Sequence, residues 1–364
     1  MIYLDYQATT PLAPEAREAM LRWLGGPESD GFGNPHSAHR LGRQAAVAVE
    51  VAREQVAALF PPGGRVIFTS GATEALNTAL RGAIGNVLTF ATEHAAVLDC
   101  AGPVREQGIG FEVLPVLPDG RADLNTLEAT IGPDTGLVAA MLVNNEIGTI
   151  NPLAELCSIA HRHGALFLCD AVQGYGRIVL PEGADFIAIS GHKIHGPKGI
   201  GALWVRDGAD LPPLMHGGGQ EQGLRSGTLS PALCAGFGAA AALAHDRMAE
   251  DAAHVGRLWD RARELFVGWI LNGSAEHRWR GNLNIRREGL DVGRLMSEVR
   301  DVMFSAGSAC ASGSGRPSHV LRAIGLSDAE AKCSIRLGFG RYTTIEDIER
   351  AAGLLNAGAE LQGV

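Results

Sequence analysis

The chain is poor in aromatic residues, 5% of 364, and holds no apolar run long enough to cross a bilayer. The longest nearly apolar stretch, ALCAGFGAAAALA (232–244), is too short and too rich in small side chains to span hydrocarbon. Basic residues are outnumbered, 31 against 40 acidic ones, for a net charge of −9. No basic stretch carries interleaved aromatics, which argues against a nucleic-acid or anionic-membrane surface. The opening, MIYLDYQATT, lacks a positive segment ahead of an apolar core. It does not read as a secretion signal, and a cytoplasmic protein is expected. Cysteine is sparse: Cys100, Cys157, Cys169, Cys234, Cys310 and Cys333, with no CxxC pair. That weakens a zinc reading. Scattered cysteines are expected to be small buried hydrophobes unless their surroundings argue otherwise.

Glycine, by contrast, is abundant at 48 residues and falls between apolar runs, as tight strand-to-helix turns require. RVIFTSGATEALNTALRGA (65–83) reads strand, turn, helix, and NVLTFATEHAAVLDCA (86–101) repeats the pattern. GLVAAMLVNNEIGT (136–149) is another strand, followed by the helix-like PLAELCSIAHRHG (152–164). ALFLCDAVQG (165–174), ADFIAISGHKIHG (184–196) and GALWV (201–205) add three more. Strands alternating with helical patterns predict an α/β fold with a mostly parallel sheet covered on both faces. From about Pro231 to about Ile270 the pattern is helical and free of interior proline, as suits a helix connecting the sheet to a second lobe. The expected division is a large domain over 12–245 and a smaller lobe built from 1–11 and 246–364.

Polar residues cluster at the carboxyl ends of these strands, where open α/β sheets bind ligands. In SGATE (70–74), Ala72 and Thr73 open a helix whose free N–H groups suit a phosphate; a plain N-cap fits the stretch about as well. GFGAAA sits inside the long helix and is read as packing rather than a dinucleotide fingerprint. Asp170 ends an apolar run, a costly place for a carboxylate unless it faces a cation. Lys193 ends the next strand, in SGHKIHGPKGIG, where most lysines beside glycine are solvated turns. Lysine, aspartate and phosphate site together suit pyridoxal phosphate: an aldehyde for the amine, a ring nitrogen for the carboxylate and a phosphate for the helix start. Gln173 follows Asp170 closely. Ser190 and His192 flank the lysine, and His94 is placed to meet the ring, though alone it reads more readily as a capping or core histidine.

Beyond these sites, YLDYQATTP (3–11), FGNPHSAHRLG (32–42), FTSGATE (68–74), TEHAAVLD (92–99), VNNEIGT (143–149) and DAVQ (170–173) occur in order. SGHKIHGPKGIGAL (190–203), HGGGQEQGLRSGT (216–228), GSACASGS (307–314), PSHVLRAIGL (317–326) and SIRLGFGRYTT (334–344) continue the series. The chain thereby resembles the cysteine desulfurases of the housekeeping and nitrogen-fixation type. These are fold-type-I pyridoxal-phosphate enzymes of the class V aminotransferase group, with a seven-stranded-type, mostly parallel sheet and a smaller α+β lobe. The resemblance implies that Lys193 forms the Schiff base and Asp170 faces the pyridine nitrogen. It places Gln173 and Asn145 near the ring hydroxyl, and gives the phosphate to Ala72, Thr73, Ser190 and His192. Thr228 would reach the phosphate of a neighbouring subunit in a homodimer. Arg336 would bind the substrate carboxylate, with Asn34 and Arg225 as helpers.

The resemblance also singles out Cys310. Its surroundings, FSAGSACASGSG (304–315), are small, polar and poor as core, the composition of a flexible functional loop. A thiol with a pKa of about 8.5 is a few per cent thiolate at neutral pH, enough for a nucleophile. The implied reaction turns L-cysteine into L-alanine, with Cys310 keeping the sulfur as a persulfide and His94 handling protons. A sulfur acceptor or iron–sulfur scaffold protein is the implied partner. No metal site is read with certainty, though Cys310 is also a candidate iron–sulfur ligand. The alternatives are a selenocysteine lyase, another pyridoxal-phosphate lyase or aminotransferase, or a cofactor-binding protein without turnover. Arg316 stands where relatives usually carry glutamate, Ala311 where threonine is common and Gln222 where arginine is usual. The tail after LLNAGAELQGV is expected to be short for docking a scaffold.

Overall fold

A computed structural model describes residues 1–307 and 317–364 of the chain; the reading of Cys310 therefore lies outside the described residues. The first half runs β1 (Ile2–Tyr3), α1 (Pro14–Leu21), α2 (Arg40–Ala57), β2 (Gly64–Thr69), α3 (Ala72–Arg81), β3 (Asn86–Phe90), α4 (Ala95–Leu98), α5 (Ala101–Glu106), β4 (Phe111–Leu114), α6 (Leu124–Thr130), β5 (Thr135–Met141), α7 (Leu153–Arg162), β6 (Leu166–Asp170), β7 (Phe186–Ser190) and β8 (Gly201–Arg206). After it come α8 (Pro231–Leu265), β9 (Ile270–Leu271), β10 (Asn282–Arg286), α9 (Val292–Glu298), β11 (Val302–Met303), β12 (Ser305–Ala306), α10 (His319–Ala323), α11 (Asp328–Lys332), β13 (Ser334–Gly338) and α12 (Ile345–Glu360).

Seven strands form the central sheet in the order β2-β8-β7-β6-β5-β3-β4. Only β8 runs against its neighbours, so the sheet is mostly parallel, as the alternating pattern predicts. Its middle strands are buried almost throughout, because helices cover both faces. The edge strand β4 was not legible in advance: it has four residues, and Glu112 and Val113 between its ends are exposed. A four-stranded antiparallel sheet, β12-β13-β10-β9, stands apart, and β1 pairs in parallel with β11.

The long helix α8 begins at Ser230, whose hydroxyl accepts from Leu233 N, with Pro231 at its first position. It packs on α1, α2 and α12 and so ties the central sheet to the later elements. It stops at Leu265, short of the expected Ile270, which instead begins β9. The main apolar core draws on described residues from Ile2 to Ala359, and a second cluster fills the opposite face of the sheet beneath α3. No helix among the described residues is long and apolar enough to cross a membrane.

Candidate active site

The carboxyl ends of β2, β5, β6 and β7 open onto a cavity of about 510 Å³. Of the residues singled out from sequence, Ala72, Thr73, His94, Asn145, Asp170, Gln173, Ser190, His192, Lys193 and Arg336 all line it.

At one end lies the start of α3. Its N-cap, Gly71, supplies no side-chain cap, so the first N–H groups remain for a ligand. The turn is held close to β8, where a Cβ on Gly201 would stand 2.7 Å from the Gly71 Cα and 2.4 Å from the Ile189 oxygen. Only glycine fits there, and its absence of side chain seats the helix start beside Ser190. Glu74 brings a negative charge to this end, but Arg225 pairs with it at 2.7 Å. That pairing and the Ser70 N–H hold the Glu74 carboxyl below its usual range despite burial.

Asp170 closes β6, and Val172 N donates to its Oδ1 at 3.0 Å. Burial raises its pKa; the Val172 hydrogen bond, His94 and Lys193 pull the other way. A carboxyl so placed gains most from a cation in the cavity. His94 is the N-cap of α4, its Nδ1 accepting from Ala96 N at 3.1 Å. Burial lowers its pKa, Asp170 opposes that, and Lys193 adds to it. The ring is thus biased toward the neutral form, and with Nδ1 accepting from Ala96 the ring hydrogen sits on Nε2. Glu93 lies behind it, fully buried, with its pKa well raised by burial and by Asp170.

Lys193 follows β7 in a short 3-10 turn, and its Nζ donates to the carbonyls of Gln7 (2.6 Å) and Ala8 (2.7 Å). His192 meets Thr9 Oγ1 at 3.1 Å through Nδ1, and burial, then Lys193, pushes its pKa down to about 4. Arg336, on β13, is 1% exposed. It donates to Asp5 Oδ1 at 2.8 Å, to the Asn145 carbonyl at 3.1 Å and to Ser305 Oγ at 3.3 Å. Its Nε is buried without a hydrogen-bond partner, a donor left over.

Two expected residues lie elsewhere, and Thr228, expected to serve a neighbouring subunit, does not line this cavity either. Arg225 serves Glu74 and does not line the cavity, Asn34 is exposed, and Thr228 is exposed. Sequence reasoning missed the backbone carbonyls of Gln7 and Ala8, Glu74 and Lys198, which also line the cavity. The first two had a signal, since they lie within YLDYQATTP, but a carbonyl has no signature of its own. Cys100, Cys157, Cys169 and Cys234 are buried. Burial pushes the thiols of Cys157 and Cys234 up to about 12, which suits them to packing and not to nucleophilic chemistry. Among the described residues no group of three or more His, Cys, Asp or Glu is placed to hold a metal.

An amine, a buried carboxyl, an uncapped helix start and a buried guanidinium thus surround one cavity. The family model of the class-V aminotransferases matches residues 2–351. The chain is 42% identical to the cysteine desulfurase IscS of Rickettsia rickettsii (strain Iowa), over 97% of this chain and 90% of that protein. It belongs to the cysteine desulfurase family. Among solved structures, the NifS-like protein of Rickettsia africae superposes with a TM-score of 0.90 at 29% identity, covering 99% of each chain. SspA in complex with cysteine superposes at 0.83 with 34% identity, covering 94% of this chain and all of that one. The family match extends through the β13 strand that carries Arg336, so the cavity lies wholly within it.

Proposed function

We propose that this cysteine desulfurase holds pyridoxal phosphate in the 510 Å³ cavity and converts L-cysteine to L-alanine, keeping the sulfur as a persulfide on Cys310. The observation that carries the reading is the convergence of Lys193, Asp170 and the uncapped start of α3 on one space. Each meets a different part of that cofactor. The N–H groups of Ala72 and Thr73, with Ser190 and His192, would hold the phosphate, Asp170 would face the ring nitrogen, and Lys193, whose Nζ donates to the Gln7 and Ala8 carbonyls, would be the amine for the aldehyde. When bound, the cofactor offers an aldehyde to amines and withdraws electrons from the substrate Cα.

The protein's own groups do the rest. Arg336, a cation at the cavity wall, would bind the substrate carboxylate. Lys193 would move the Cα proton, and His94 would handle proton traffic at the substrate thiol. The Cys310 thiolate attacks the substrate sulfur and the Cβ–S bond breaks. Its electron pair stays with the carbon skeleton, which is protonated to alanine, and Cys310 is left bearing the extra sulfur. A sulfur acceptor or iron–sulfur scaffold then takes it. The working form is a cytoplasmic homodimer in which Thr228 serves the partner's phosphate, a reading that its exposure supports. The two-lobed division at 12–245 belongs to the same reading.

The test is alanine formed per active site, with mass spectrometry of the loop peptide after a cysteine pulse. Cys310→Ala should still take up the cofactor and change its absorption with cysteine, yet release almost no alanine. Parent-like turnover in that variant, or a persulfide on Cys333, would falsify the assignment.

A further inference from the structure

Arg177 stands between Gln173 and Lys193 with no carboxylate in ion-pair distance among the described residues. Its Nη1 donates to Gln173 Oε1 at 2.5 Å and to the Gln173 carbonyl at 3.1 Å; its Nη2 donates to the Lys193 carbonyl at 2.7 Å. Burial alone pushes its pKa down to about 10, so an expensive cation is kept here without a counter-ion.

A guanidinium has donors only, which fixes the side-chain amide of Gln173: the oxygen must face Arg177 and the nitrogen must face away. That nitrogen donates to the Gln7 carbonyl at 3.0 Å. The same carbonyl accepts from Lys193 Nζ at 2.6 Å. Arg177, Gln173, Gln7 and Lys193 thus close a ring of hydrogen bonds along one wall of the cavity. An amide nitrogen carries two hydrogens, and one remains to offer.

We propose that Arg177 is a positioning residue: by gripping Gln173 Oε1 and the Lys193 carbonyl together, it presents the Gln173 amide to the cavity as a donor, which selects a ligand with an anionic oxygen beside the lysine. This rests on the cofactor reading above, in which that oxygen is the ionised ring hydroxyl of pyridoxal phosphate. Without the guanidinium only the Gln7 carbonyl still holds the amide, and a turn that brings its oxygen inward, where two oxygens would oppose each other, becomes less costly. A donor stabilises the ionised oxygen, so losing it raises the pH at which that oxygen gives up its proton.

The experiment is a pH titration of the visible absorption of cofactor-loaded protein, with the cofactor dissociation constant measured alongside. Arg177→Met should move the midpoint up by roughly one pH unit, the size of one hydrogen bond to a charged group. Arg177→Lys, with one nitrogen in place of the fork, should move it the same way by less. In a Gln173→Leu background Arg177→Met should add almost nothing, because the amide through which it acts is gone. A shift of equal size in both backgrounds would mean that Arg177 acts by its charge alone, and the proposal falls. An unchanged midpoint in Arg177→Met also overturns it; if that variant is insoluble, an unchanged midpoint in Arg177→Lys does the same. A parent protein that takes up no pyridoxal phosphate brings down the cofactor reading itself, a result distinct from either.

Discussion

Two buried aspartates sit at opposite ends of the same two strands. Asp185 precedes β7 at the amino end and is fully buried. It accepts from Phe167 N (2.7 Å), Arg206 Nε (2.8 Å) and His161 Nε2 (2.9 Å), so the protein itself satisfies both oxygens. Asp170, at the carboxyl end of β6, accepts among the described residues from Val172 N, and burial raises its pKa. The amino end of the sheet completes its own charges, while the carboxyl end leaves them incomplete. A buried carboxylate surrounded by donors marks architecture; one short of donors marks a place kept for a ligand.

The sharpest way to break the contrast is to neutralise each aspartate in turn. Asp170→Asn should cut alanine formation by on the order of 10²- to 10³-fold, the loss of one preorganised charge in an active site. It should melt no earlier than the parent, because an underpaired buried charge has been removed. Asp185→Asn should do the reverse, costing about 2–4 kcal/mol of unfolding free energy in urea while turnover per bound cofactor holds. If the two variants exchanged these phenotypes, the division of labour between the ends would be wrong.

A smaller effect is expected where the carboxyl end does pair a charge. Arg225→Ala leaves Glu74 uncompensated at the start of α3. The cofactor dissociation constant should rise about tenfold, equivalent to about 1.4 kcal/mol. The added Glu74→Gln change should restore it. Equilibrium titration reads both, and an unaltered constant in Arg225→Ala would place the phosphate elsewhere.

The smallest effect concerns pH. His195 is buried just after Lys193, in a left-handed conformation with φ of 68°, and burial then Arg341 push its pKa down to about 4. An unfolded histidine titrates near 6.5. Above that pH both states are neutral and the group contributes no slope. As pH falls from about 6.5 to about 4, only the unfolded chain takes up the proton, so stability drops by up to about 1.4 kcal/mol per unit. His195→Asn does not titrate and tolerates positive φ. Urea unfolding across this window should show a shallower acid slope in that variant, and parallel slopes would remove His195 from the balance.

Much of the contrast was legible in the sequence. Asp170 at the end of ALFLC and Lys193 at the end of the next strand are one-dimensional facts, because parallel strands carry their last residues to one edge. The start of α3 was equally visible as glycine ahead of a helical pattern. Side chains held by partners distant in sequence were not. The resemblance alone named Arg225 as a helper of the substrate site, and only the fold brings Glu74 to it across 151 residues. Arg177 gave no sign at all, since its partners are an amide oxygen and a backbone carbonyl. Strand β4 escaped for a related reason: at a sheet edge the FEVL pattern exposes its two middle residues and loses the apolar run that marked its neighbours.

The pairing of Asp5 with Arg336 spans 331 residues, and the acceptors of Lys193 Nζ precede it by 185 and 186. A ribosome therefore releases the lysine wall of the cavity well before the guanidinium that completes it. On the proposed reading, during that interval the chain would own an amine and a phosphate seat but no anchor for a substrate carboxylate. Contacts this remote in sequence form slowly, so the last step of making the site is the arrival of β13. On the proposed reading, cofactor capture and substrate recognition would mature at different moments in the life of one polypeptide.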